Sequence, residues 1–172
     1  MIKQDYKVYK LKFKSLVKGF FTGNGFYAVL LYRWANFLYR KKIKFLPEFL
    51  TNIARINFSC EISPNATIGG GLLINHTLGI VVGWNVKIGK NCEIFQNVTL
   101  GSSRKEKDGQ IMPIVGDNVK IYAGAVVSGP VKIGNNVVIG ANSVVTKDVP
   151  DNCFVAGSPA KIVKYFDVNE EE

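Results

Sequence analysis

The chain has 172 residues and is 47% apolar, which supplies a core and excludes a disordered polymer. Its formal charge of +9 is unevenly spread: residues 1–60 carry twelve Lys/Arg and two Asp/Glu, residues 61–172 ten and eleven. A role on nucleic acid would have to rest on the basic third, which holds no recognition motif, so no nucleic-acid partner is expected.

In chain order, residues 1–58 read as a basic, aromatic helical region. Lysines at 3, 7, 10, 12, 14 and 18 lie among apolar residues, a pattern that suits an amphipathic basic helix or a loosely ordered arm. Phe26–Lys41 reads as a helix with Leu30, Leu31, Trp34, Phe37 and Leu38 on one side and Arg33, Arg40 and Lys41 elsewhere. Pro47 punctuates the chain, and Glu48–Asn57 reads as a second short helix. No apolar run is long enough to span a bilayer. The region is expected either to hold the protein near an anionic membrane face or to pack as a helical cap. With no signal peptide, the expected location is cytoplasmic, at most at the inner face of the membrane.

From about residue 59 to 165 a six-residue period takes over. Val115, Ile121, Val127, Ile133, Ile139 and Val145 recur every sixth position, and four residues after each stand Val119, Ala125, Val131, Val137, Ser143 and Val149. The same pairs appear upstream as Ile62/Ala66, Ile68/Leu72, Ile74/Leu78, Val82/Val86, Ile88/Cys92 and Ile94/Val98. A period of six fits neither a helix nor a hairpin array; it fits a chain that turns a corner every six residues and stacks its coils as parallel strands. The lead residue points inward, and glycines such as Gly69, Gly89 and Gly116 relax the backbone beside it. Two extra residues fall between Leu78 and Val82, just after His76. Segment 102–113 is polar and off-phase and reads as a protruding loop. Residues 166–172 form an acidic tail. Cys60, Cys92 and Cys153 make no CxxC pair and read as buried thiols. One histidine excludes a three-histidine zinc site, and no metal is expected.

The segments INHTLGIVVG (74–83), QNVTLGS (96–102), IGNNVVIGANSVVTKDVP (133–150) and AGSPAKIV (156–163) resemble the serine acetyltransferase branch of the hexapeptide-repeat acyltransferases, with LLYRWANFLY (30–39) matching in the helical part. The resemblance implies a mainly β fold, a left-handed parallel β-helix with a small N-terminal α-helical region. It also implies a homotrimer with acetyl-CoA as co-substrate in the groove between subunits.

The resemblance also places the site. Unaided, a lone histidine is more often structural than catalytic. In the family's most diagnostic motif, His76 is the general base that takes a proton from an alcohol. Glu61, fifteen residues earlier, aligns with the acid that orients the imidazole; read alone it is a solvated carboxylate. Gly101, Ser102, Ala123, Ala141, Lys147 and Lys161 align with donor contacts, although small corner residues and surface lysines are the plainer reading. Where the serine-specific branch surrounds its acceptor with acids, an arginine and a second histidine, this chain has Lys10, Asn75, Ile111 and Met112. Burying the charges of serine unpaired is costly. The expected acceptor is therefore a sugar hydroxyl of a surface polysaccharide, closest to the polysaccharide O-acetyltransferases, with Trp84 offering an aromatic face. The alternative is a divergent serine O-acetyltransferase.

Overall fold

The protein, seen in a computed structural model, is described over residues 1–13, 24–104 and 106–166. Lys14 and Lys18 of the basic pattern and most of the acidic tail lie outside the described residues.

Three helices come first: α1 (Ile2–Phe13), α2 (Asn24–Arg40) and α3 (Leu46–Phe58). Pro47 sits in the first turn of α3, where its missing N–H costs nothing. The chain then winds into a three-sided parallel prism. The first face holds β1 (Cys60–Ile62), β4 (Ile80–Val82), β7 (Thr99–Gly101), β10 (Val126–Ser128) and β13 (Val144–Val145). The second holds β2 (Thr67–Ile68), β5 (Lys87–Ile88), β8 (Ile114–Val115) and β11 (Lys132–Ile133). The third holds β3 (Leu73–Ile74), β6 (Glu93–Ile94), β9 (Lys120–Ile121), β12 (Val138–Ile139), β14 (Cys153–Gly157) and an antiparallel last strand, β15 (Ala160–Tyr165).

The hexad sets the packing. All six lead residues from Val115 to Val145 are buried, as are Val119, Ala125, Val131, Val137, Ser143 and Val149. They form one continuous column of side chains inside the prism. Regular coils pair residues eighteen apart, as Val81 with Thr99 and Val126 with Val144. The offset grows to twenty from Cys60 to Ile80 and to twenty-seven from Thr99 to Val126. The second excess is the loop between β7 and β8. It folds into a small hairpin, Lys107 bridging Gln110 around Asp108 and Gly109, both at positive φ, as a two-residue turn demands. Lys107 Nζ then ties the loop to Asp148 at 2.9 Å and holds that carboxyl below its usual range.

Three details of the repeat differ from expectation. The inward partner of Val82 is Ile80, while Leu78 is exposed. The two extra residues therefore lie within Asn75–Gly79, the corner that carries His76, and not after it. The glycines behind the lead residues have ordinary φ and serve close stacking instead: a Cβ on Gly89 would lie 2.5 Å from the Gly116 carbonyl oxygen. The corners turn on asparagine. Asn85, Asn91, Asn97, Asn118, Asn136, Asn142 and Asn152 all adopt the left-handed conformation that asparagine tolerates best after glycine. On one edge Asn91, Asn118, Asn136 and Asn152 hydrogen-bond amide to amide in a ladder. Gly89→Ala is expected to cost about 1–3 kcal/mol by overpacking, or a Tm lower by about 2–4 °C per kcal/mol. Gly101→Ala, whose Cβ would meet only Thr99 Cγ2 at 3.9 Å, should leave the thermal melt unchanged.

The helices cap the open end of the prism. A first coil presents peptide groups with no strand beneath them, and such groups need partners once buried. Tyr9 OH donates to Ile74 O and accepts from Ile74 N. Asp5 accepts from Gly71 N and Leu72 N, and Arg33 donates to the carbonyls of Ile68 and Gly69. Tyr32 OH and the Asn36 amide donate to Ala66 O. Arg33 and Asp5 pair with each other at 2.9 Å, their side chains 4% and 1% exposed. The buried side of α2 is therefore Ala28, Val29, Tyr32, Arg33, Ala35 and Asn36. This reverses the expected facing, with Trp34 and Phe37 left about half exposed. Small residues allow the close approach and polar ones answer the coil edge: a Cβ on Gly25 would lie 2.1 Å from Ile74 O.

Candidate active site

The expected site residues fall on two corners of the protomer, with the first face between them. His76 lies on the corner from β3 to β4. Counting from the paired Ile74, Ile94, Ile121 and Ile139, the residues His76, Gln96, Ala123 and Ala141 each stand two steps on, one per coil. Lys161 pairs with Ala156 at the far end of this corner. The imidazole is exposed and the corner around it is the widened one. At about 4.8 Å per coil the column from His76 to Ala141 runs roughly 14 Å.

The other corner leads from the first face to the second. Trp84 follows β4 and is exposed, and Met112 packs beside Gly83. Gly101, Ser102 and Ile111 lie where the loop leaves and returns. Above them Lys147 lines a cavity of about 360 Å³ together with Ser103, Lys107, Ser128 and Asp148. Gly101 is distinctive among the strand glycines. Neither its φ nor its neighbours require a glycine, so the missing side chain leaves its backbone open to an approaching group.

Glu61 points outward from β1, in register with Val81, on the face that His76's corner leads into. Its carboxylate is 3.8 Å from Arg55, with both side chains about half exposed. Such a pair is worth little and holds Glu61 loosely. Lys10 is exposed on α1. Asn75 is not isolated: its amide nitrogen donates to the Glu93 carboxylate one coil above. Two buried oxygens on this corner have no partner, Asn75 Oδ1 and Gln96 Oε1. Both oxygens are free to accept a hydrogen bond from a bound group or water. Comparison position by position missed Glu93 and Gln96. Gln96 was signalled by its place at the same step as His76, and Glu93 only by its neighbour.

The thiols are unsuited to nucleophilic work. Burial pushes Cys60 up to about 12 and Cys92 to about 11, far from a reactive thiolate. Direct transfer, with no acyl-cysteine, fits the chain better.

Comparison with known proteins agrees with the fold. The family model of the bacterial transferase hexapeptide (six repeats) matches residues 112–147. A serine acetyltransferase of Bacillus pumilus is 39% identical over 150 residues, 87% of this chain and 69% of the relative. One of Synechococcus elongatus is 40% identical over 139 residues, 81% of this chain. The chain spans 57% of that relative's length. Among solved structures, Neisseria gonorrhoeae serine acetyltransferase in complex with serine superposes with a TM-score of 0.86 at 34% identity, covering 95% of this chain and 67% of that one. A serine acetyltransferase in complex with CoA gives 0.85 at 33%, covering 94% and 68%. These likenesses overturn the expected polysaccharide O-acetyltransferase, because the relatives matched over most of this chain are serine acetyltransferases. With its hexapeptide prism, its widened His76 corner and these relatives, the chain belongs to the serine acetyltransferase family.

Proposed function

We propose that the chain transfers the acetyl group of acetyl-CoA to the hydroxyl of serine, in a site built from the His76 corner of one protomer and the loop corner of its neighbour in a trimer. The observation that carries this is the split itself. His76, Ala123, Ala141 and Lys161 follow one corner from base to top, and Trp84, Met112, Gly101 and Lys147 follow the other in the same sense. Two such corners set side by side form a groove with the base chemistry at one end and lysines for phosphate at the other. Ala123 and Ala141 keep its wall low, and Gly101 leaves backbone open beside the thioester.

In this reading His76 takes the proton of the serine hydroxyl as its oxygen attacks the thioester carbonyl carbon. Backbone N–H groups near Gly101 and Ser102 stabilise the oxyanion. The C–S bond breaks on collapse, and His76 returns the proton to the departing sulfur, leaving O-acetylserine and free CoA. Glu61, turning from Arg55, holds the ring. The likeness to relatives complexed with serine and with CoA supports this assignment.

The loss of an acid at position 75 counts for less than residue types alone imply, because the Glu93 carboxylate holds Asn75 from the next coil. Glu93→Gln is expected to raise KM for serine about tenfold, the loss of one charge-assisted hydrogen bond, with KM for acetyl-CoA unchanged. The deciding experiment follows thiol release from acetyl-CoA by the purified protein with and without serine, and identifies the product by mass. Serine-dependent release of O-acetylserine supports the assignment. Release that serine does not stimulate overturns it.

A further inference from the structure

Among the described residues, the capping helices answer the prism on one side and leave the other side uncovered. Two grooves run across this outer surface. One, of about 510 Å³, is lined by Ile2, Lys3, Trp34, Phe37 and Arg40 among others. The other, of about 740 Å³, is lined by Tyr39, Arg40, Lys42, Ile43, Lys44 and Phe45, with Glu48 its one carboxylate. Arg40 borders both grooves. Phe45 is 85% exposed, and Lys41 lies over the Phe37 ring at 5.8 Å. The other acid of the first sixty residues, Asp5, is buried and neutralised by Arg33. Exposed aromatic rings are costly in water, and with cations beside them they form a recognisable chemical surface.

We propose that this surface docks the protein onto an anionic lipid bilayer, with Trp34, Phe37 and Phe45 entering the headgroup layer and Lys3, Arg40, Lys42 and Lys44 meeting lipid phosphates. Charge decides the occupant. A second copy would bring one basic surface against another, which like-charge repulsion opposes. A purely polyanionic partner would leave the aromatic rings unused. An anionic bilayer satisfies both halves, since aromatic side chains favour the interfacial depth and lysines its surface potential. Among the described residues no helix is long and apolar enough to cross a membrane, so the attachment is peripheral. A trimer would present the surface three times, and the avidity would make weak single contacts useful.

Flotation of the full chain with phosphatidylcholine vesicles, with and without phosphatidylglycerol, tests this. The expected result is binding that needs the anionic lipid and falls with salt. Lys42→Gln with Lys44→Gln should weaken it about thirtyfold, the effect of two lysines at roughly 1 kcal/mol each. Trp34→Ser with Phe37→Ser should weaken it comparably, and in the Trp84→Phe background Trp34 emission should shift to the blue on binding. All these side chains are exposed, so unchanged circular dichroism and thermal melts should accompany the losses. The proposal is overturned by absence of binding to anionic vesicles. It is equally overturned by binding that the aromatic variant leaves intact, which would mark a general polyanion site. Higher oligomers without vesicles that the aromatic variant dissolves would overturn it too, because the occupant would then be a second copy. None of these outcomes depends on the acetyl-transfer reading.

Discussion

His76→Ala is expected to lower kcat for the serine-dependent reaction by about 10²–10⁴-fold, the contribution of a positioned general base. KM for acetyl-CoA should stay nearly constant, because in the proposed site the donor would run along the column above the imidazole and not on it. The thermal melt should not move, since the side chain is exposed on a widened corner and bears no core packing. Steady-state kinetics with each substrate varied, alongside a melt of the same preparation, separates these quantities. A kcat within a few-fold of the parent would remove His76 from the chemistry. A matching loss of folded protein would assign it a structural part instead.

The second large effect is at the cap. Asp5→Ala should destabilise the protein by about 3–5 kcal/mol, the cost of breaking a buried ion pair, a large share of the 5–15 kcal/mol typical of a domain. Asp5 accepts four hydrogen bonds: two from Arg33, at 2.9 and 3.1 Å, and one each from Gly71 N and Leu72 N. Its loss would leave a buried guanidinium without its counter-charge and two peptide N–H groups without acceptors. Denaturant unfolding measures this directly. A change below 1 kcal/mol would mean that α1 adds little to the prism.

Much of the molecule was legible from its period. The recurrence of apolar residues every six positions depends only on which side chains face inward, and it found the prism. The period could not say which apolar residue of an irregular corner turns in. Leu78 and Ile80 are equally apolar, and only strand pairing with Cys60 brings Ile80 inside. The corner asparagines stand three residues past six of the leads, from Val82/Asn85 to Ile139/Asn142, a signal as regular as the glycines. The facing of α2 was misread for a physical reason. A helix packed on a coil edge must satisfy peptide groups at close range, so Arg33, Asn36 and two alanines go inward and the larger apolar residues stay out. The polysaccharide acceptor was expected because positions were compared singly, and the serine acetyltransferase relatives overturn it. Stacked coils make residues eighteen apart neighbours, and the carboxylate held against Asn75 comes from Glu93.

The finished ends have a bearing on solubility. A solenoid of parallel strands is open at both extremities, and each open coil is a template on which another chain could extend the ladder into a fibre. At one extremity Asp5, Tyr9, Tyr32, Arg33 and Asn36 occupy peptide groups of the first coil with side chains, which cannot propagate a strand. At the other, β15 reverses direction against β14, so the parallel run stops at a strand of opposite sense. Side chains thus close the first coil, and the parallel ladder of the third face ends on an antiparallel strand.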